Sequence, residues 1–254
     1  MSLLTDYLDA EEQLAKAFLE RDPCRNEAVI KIVQLAITAI QGEAPIRENW
    51  SLVFGRLTMD AVVALEQAFI CVLRGQPRLG WASMRFAAEA CKDIECLDHS
   101  DSLIPLWLKL ADASTLDEIK KADKAFSKAR KSVPKTATIK MCQATMDLCH
   151  VLGAHPNATS FAFLGPSSKG LEDGKVVLPS RVTEPEHFDF HFGQMMLHGM
   201  IIAQNLASFR AQTLDGEPKV ELEEAIQKLG QDVHPHFPEE MREKWNRILS
   251  RSAS

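Results

Sequence analysis

The chain has 254 residues, 46% of them hydrophobic and 25% charged, and a formal net charge of −6. That composition excludes wholly disordered, collagen-like and disulfide-scaffold chains, and its acidic balance argues against a whole-surface nucleic-acid binder. The apolar runs 29–40, 61–73 and 195–203 are short or are interrupted by Lys31, Glu66, Gln67 and His198, so none reads as a membrane span.

Helical periodicity dominates from the start. Thr5 can cap a helix over about 6–21, and Asp22-Pro23 caps and opens a second that ends near Gly42. After a loop holding Pro45 and Trp50, residues 57–74 form a strongly apolar helix. Gly75-Gln76-Pro77 breaks the chain, and 78–97 form the next helix. So short a break makes these two an antiparallel hairpin. A helix apolar on nearly every side is read as central and buried, so Val63, Leu65, Phe69, Val72, Met84 and Ala88 are expected in the core. A short helix near 102–112 follows. Ser114-Thr115-Leu116-Asp117-Glu118 offers two overlapping capping boxes ahead of a basic helix that Pro134 ends. Residues 136–152 continue helical.

The pattern then changes. Phe161–Leu164 and Val176–Leu178 are short β-like runs around a Gly-rich segment, read as a loop or hairpin excursion near 159–180. Thr183-Glu184-Pro185-Glu186 opens a long helix over about 184–213. Two amphipathic helices, about 219–230 and 238–251, make up the C-terminal segment 219–254. The expected fold is all-α: one helical domain over 1–254, a multi-helix bundle around the hairpin 57–97 with a small irregular or β-hairpin excursion. The N-terminus has no basic region and no unbroken apolar stretch, so no signal peptide is read and a cytoplasmic location is expected. Cys24, Cys71, Cys91, Cys96, Cys142 and Cys149 contain no CxxC pair and are read as reduced, mostly buried thiols.

Four features carry candidate chemistry. Arg85 and Glu89 lie one turn apart on an apolar hairpin, where a charge needs a partner, so Arg85 is expected to meet Glu66 or Glu89. His187, His191 and His198 share one face of the long helix. The HxxxH pair His187/His191 can hold a divalent metal if a second helix adds a ligand, with His99, His150 and His155 the candidates. No other cofactor is indicated, and the histidine face is expected to lie against polar side chains or solvent without such a convergence. Arg181 precedes His187 with the spacing of a phosphate-stabilising cation and a proton-moving imidazole. Finally, Lys120, Lys121, Lys124, Lys128, Arg130, Lys131, Lys135 and Lys140 concentrate positive charge in 120–140, a solvated face or a contact for an anionic partner.

The run Ala68…Leu73-Arg74-Gly75, then Trp81…Arg85…Glu89, then His150…His155-Pro156 resembles uncharacterised all-helical bacterial families found among phage-defence and toxin–antitoxin genes. The likeness spans about 57–160 and implies a helical bundle that pairs an Arg/Glu helix with a helix ending in a His-Pro step. Arg181…His187 resembles the signature of HEPN-type ribonucleases, where the Arg stabilises phosphate and the His moves protons without a metal. His187/His191 is similar to the metal-binding histidines of DinB-like bundles. Together these give three expectations: a cytoplasmic, non-enzymatic regulatory or interaction protein with a protein partner or a second copy, linked to such a system; a HEPN-like ribonuclease acting through Arg181 and His187; or a metal-dependent bundle enzyme using His187, His191 and His150. Arg85 and Glu89 are further catalytic candidates, as a polar site between helices.

Overall fold

Local punctuation in the sequence sets the helix boundaries. The computed structural model describes residues 3–41, 48–154, 171–172, 175–176, 185–237, 239 and 242–243. Helix α1 (Leu3–Arg21) is followed at once by α2 (Pro23–Thr38). Between them the Asp22 carboxylate accepts the Arg25 amide at 3.1 Å, and Pro23 occupies the first turn, where its missing N–H costs nothing. Helices α3 (Glu48–Leu73) and α4 (Pro77–His99) form the expected hairpin. Gly75 takes φ 72° at the turn, a left-handed conformation that glycine adopts without a Cβ clash. A 3-10 turn at Asp101–Leu103 leads into α5 (Ile104–Ala111).

Helix α6 (Leu116–Arg130) opens on a complete capping box. Thr115 Oγ1 accepts the Glu118 amide at 3.3 Å, and Glu118 Oε2 accepts the Thr115 amide at 3.1 Å. These backbone donors hold the Glu118 carboxyl below its ordinary pKa. Thr136 caps α7 (Ala137–Cys149), which runs into a π-turn over His150–Ala154. Two strands, β1 (Leu171–Glu172) and β2 (Lys175–Val176), pair antiparallel with Leu171 opposite Val176, a small hairpin inside the expected excursion. Helices α8 (Pro185–Gln212) and α9 (Glu217–Val233) follow, then a 3-10 turn at His234–His236. Of the expected final helix over 238–251, only 239, 242 and 243 lie among the described residues, and they are helical.

The chain folds as an all-α multi-helix bundle. Its most extensive helix contact is the α3–α4 hairpin; α7 packs on α4, and α8 lies against α2, α3, α4 and α9. Glycine sets how closely these axes approach. A Cβ on Gly80 of α4 would sit 2.8 Å from the Ala68 carbonyl oxygen and 2.8 Å from Met195 Cε, and one on Gly199 of α8 would sit 2.9 Å from Phe69 Cζ. Helix α1 is pinned to α8 by a column of rings, Phe18 on Phe188 at 3.6 Å and Phe188 on Phe192 at 5.1 Å.

Leu65, Phe69, Val72, Met84 and Ala88 are buried as expected. Val63 is not: it is 58% exposed. Helix α3 begins well before residue 57, and among the described residues its buried face is the one carrying Leu57, Ala61, Leu65 and Phe69; apolar composition all round the helix did not mean burial all round it. Of the six cysteines, Cys24 is exposed and the other five are buried, all as free thiols.

Candidate functional site

His191 and His198 of α8 turn inward. His191 is 1% exposed, and its Nδ1 accepts the Trp81 indole N–H at 3.0 Å. An indole nitrogen can only donate, so Nδ1 is bare and the imidazole proton sits on Nε2. In that tautomer the lone pair of Nδ1 is engaged by the indole and Nε2 carries hydrogen, so His191 presents no lone pair to a metal in this packing. One helical stretch further on, His198 Nδ1 shares a hydrogen bond with Thr145 Oγ1 at 2.8 Å. Both imidazoles stand edge-on to Trp81, at 6.3 and 6.4 Å between ring centres. These two histidines therefore pack α8 onto α4 and α7. His99 Nδ1 lies 3.1 Å from the Glu95 carbonyl, and His150 is exposed on the π-turn after α7. Among the described residues no group of three or more His, Cys, Asp or Glu is placed to hold a metal ion. His187 lies in α8, but its side chain, like Arg181 and His155, is outside the described residues.

Glu89 meets Arg130 of α6, at 3.7 Å, and the same guanidinium forms a charge-assisted hydrogen bond with Asp93 one turn along α4. The plane of Arg130 covers the Phe126 ring at 5.6 Å. Burial pushes the Asp93 carboxyl up to about 6, against the opposing pull of Arg130. Arg85 lies one turn before Glu89 on α4, and its charge reaches the Cys149 thiol; burial nevertheless pushes that thiol up to about 12. Cys96 is likewise raised by burial, to about 11, and the hydrogen bond with Cys142 together with burial raises Cys91 well above the thiol range. These three thiols stay protonated near neutrality, so none is an activated nucleophile.

Arg130 also divides two hollows. On one side α4, α6, the α6–α7 link and α7 enclose about 810 Å³. Its lining carries Lys92, Arg130, Lys131, Lys135 and Lys140 against one carboxylate, Asp147, with Val133, Ile139, Cys96 and Ala144 supplying apolar surface. Lys92 donates to Gln143 Oε1 at 2.7 Å, and Gln143 Nε2 donates to Asp147 at 2.8 Å, so α4 and α7 are joined across this cleft. Lys131, Lys135 and Lys140 are exposed. On the other side of Arg130 lies a smaller hollow of about 400 Å³, where Asp60, Glu89, Asp93 and Asp123 gather around Phe86 and Leu110. Charge is thus sorted by sign across one guanidinium.

The basic run 120–140 foreshadows the cationic cleft, but only in part. Lys120, Lys121, Lys124 and Lys128 are exposed on α6 and do not line it, whereas Lys92, from a helix distant in sequence, does. The Arg130–Asp93 pair has no sequence signal either, since the two residues meet only when α6 crosses α4. No protein-family model matches the chain, and no curated protein or solved structure matches it significantly.

Proposed function

We propose that the chain is a non-enzymatic interaction protein of the cytoplasm that docks an acidic, partly apolar segment of a protein partner in the α4–α6–α7 cleft. The observation that carries this is the cleft lining: among the described residues four lysines face one carboxylate, with Arg130 held by Asp93 and Glu89, all set on apolar surface from Val133 and Ile139, in a chain whose overall charge is −6. A lysine-rimmed, apolar-floored groove matches a segment that alternates carboxylates with aliphatic side chains. A single-stranded nucleic acid would call for aromatic platforms on which bases stack, and among the described residues no aromatic side chain lines this cleft. The resemblance to phage-defence and toxin–antitoxin families supports a partner encoded beside it. The burial of His191 against Trp81 and the protonated thiols favour interaction over catalysis.

The experiment is fluorescence anisotropy with a labelled peptide of alternating Glu and Leu, against a single-stranded oligonucleotide of equal charge. Salt-sensitive binding of the peptide, lost in the double variant Lys131→Glu/Lys140→Glu, is the expected result. Preferential binding of the oligonucleotide, or peptide binding that the double variant leaves unchanged, would contradict it.

A further inference from the structure

The outward face of α3 is apolar. Leu52, Met59, Val63 and Ile70 are 67%, 50%, 58% and 41% exposed, directly opposite the buried face of the same helix. With Arg56 and Glu66 they follow one another in alternating steps of four and three residues: 52, 56, 59, 63, 66, 70. That is the seam spacing of a helix that packs along a second helix, and here it runs about 27 Å. Single exposed apolar residues need no explanation, but four on one seam do.

We propose that this seam is a homodimer interface, with α3 of a second copy packed antiparallel along it. The two charged positions select both the partner and its register. A two-fold axis at the level of Ala61 sets Leu52 against Ile70, Met59 against Val63 and Arg56 against Glu66 of the second copy, so every apolar side chain meets an apolar one and every charge meets its opposite. A parallel pair in register would set Arg56 against Arg56 and Glu66 against Glu66. Sliding the antiparallel pair by one heptad would set Arg56 against Met59, or Glu66 against Val63. Only one arrangement satisfies all six positions, and it is symmetric, as an interface between identical chains must be. Arg56 already holds Asp60 of its own chain at 3.1 Å, so its guanidinium would bridge Asp60 and Glu66 of the second copy.

The test is sedimentation velocity of the full chain across the micromolar range. The wild type should be a dimer. Val63→Glu, which changes an exposed side chain, should give a folded monomer with an unaltered far-ultraviolet circular dichroism spectrum. Glu66→Arg, which brings like charges together, should weaken the dimer about tenfold or more. Arg56→Glu/Glu66→Arg, which restores opposite charges in the same register, should bring the dimer back. A wild type that stays monomeric, whatever else covers α3, would overturn the proposal. So would a dimer indifferent to Val63→Glu, or a double charge exchange no better than Glu66→Arg alone.

Discussion

Trp81 on α4 donates its indole hydrogen to Nδ1 of His191 on α8 across 3.0 Å, and both side chains are buried. Trp81→Phe removes the hydrogen that Nδ1 accepts from the indole, at a buried site. The cost should be at least about 1–3 kcal/mol before any loss of packing. His191→Phe removes the acceptor of the same bond. Because each single change breaks one shared hydrogen bond, Trp81→Phe/His191→Phe should cost less than the sum of the two. Chemical denaturation of the four proteins measures this, and strictly additive effects would count against the pair as an energetic unit.

Asp93 gives the fold a pH dependence of unusual sign. Burial raises its carboxyl from 3.8 to about 6, so the native state binds this proton more tightly than the unfolded chain does. The stabilisation from that proton is complete below about pH 4 and is lost as pH climbs through about 6. Asp93→Asn keeps an acceptor for Arg130 but removes the titration. Unfolding free energies measured from pH 4 to 8 should therefore fall less with rising pH in Asp93→Asn than in the wild type. Parallel profiles would show that Asp93 ionises without cost.

Gly80 should resist even the smallest enlargement. The added methyl of Gly80→Ala would meet the Ala68 carbonyl oxygen and Met195 Cε at 2.8 Å and Val72 Cγ2 at 2.9 Å. Met195 can swing aside, but the backbone oxygen cannot, so α4 must move away from α3. Overpacking of this kind costs about 1–3 kcal/mol, which outweighs alanine's better helix propensity. Thermal or urea unfolding reads the result, and a stabilised variant would mean that the hairpin has more room than these distances give.

The helices and their order are legible in the sequence because each has a local signal: Asp22-Pro23, Gly75-Gln76-Pro77 and Thr115…Glu118 each fix a boundary within a few residues. What local patterns do not carry is which side of an element meets a neighbour. Helix α3 is apolar on nearly every side, so its composition does not distinguish the buried Leu65 from the exposed Val63. Likewise the spacing of His187 and His191 is that of a chelating pair, yet Nδ1 of His191 accepts an indole hydrogen from α4, which no spacing within α8 reveals. The cationic cleft lies between these extremes. Its lysines on 131–140 are visible as a basic run, while Lys92 and the Arg130–Asp93 pair depend on the crossing of helices far apart in sequence.

The claim that the α4–α6–α7 cleft is the docking site is tested most directly by amide hydrogen exchange with and without the Glu/Leu peptide. Slowed exchange should concentrate in the C-terminal half of α4, in 127–140 and along α7, and should vanish in Lys131→Glu/Lys140→Glu. Protection confined to other helices, or protection of the cleft that survives loss of both lysines, would contradict the account.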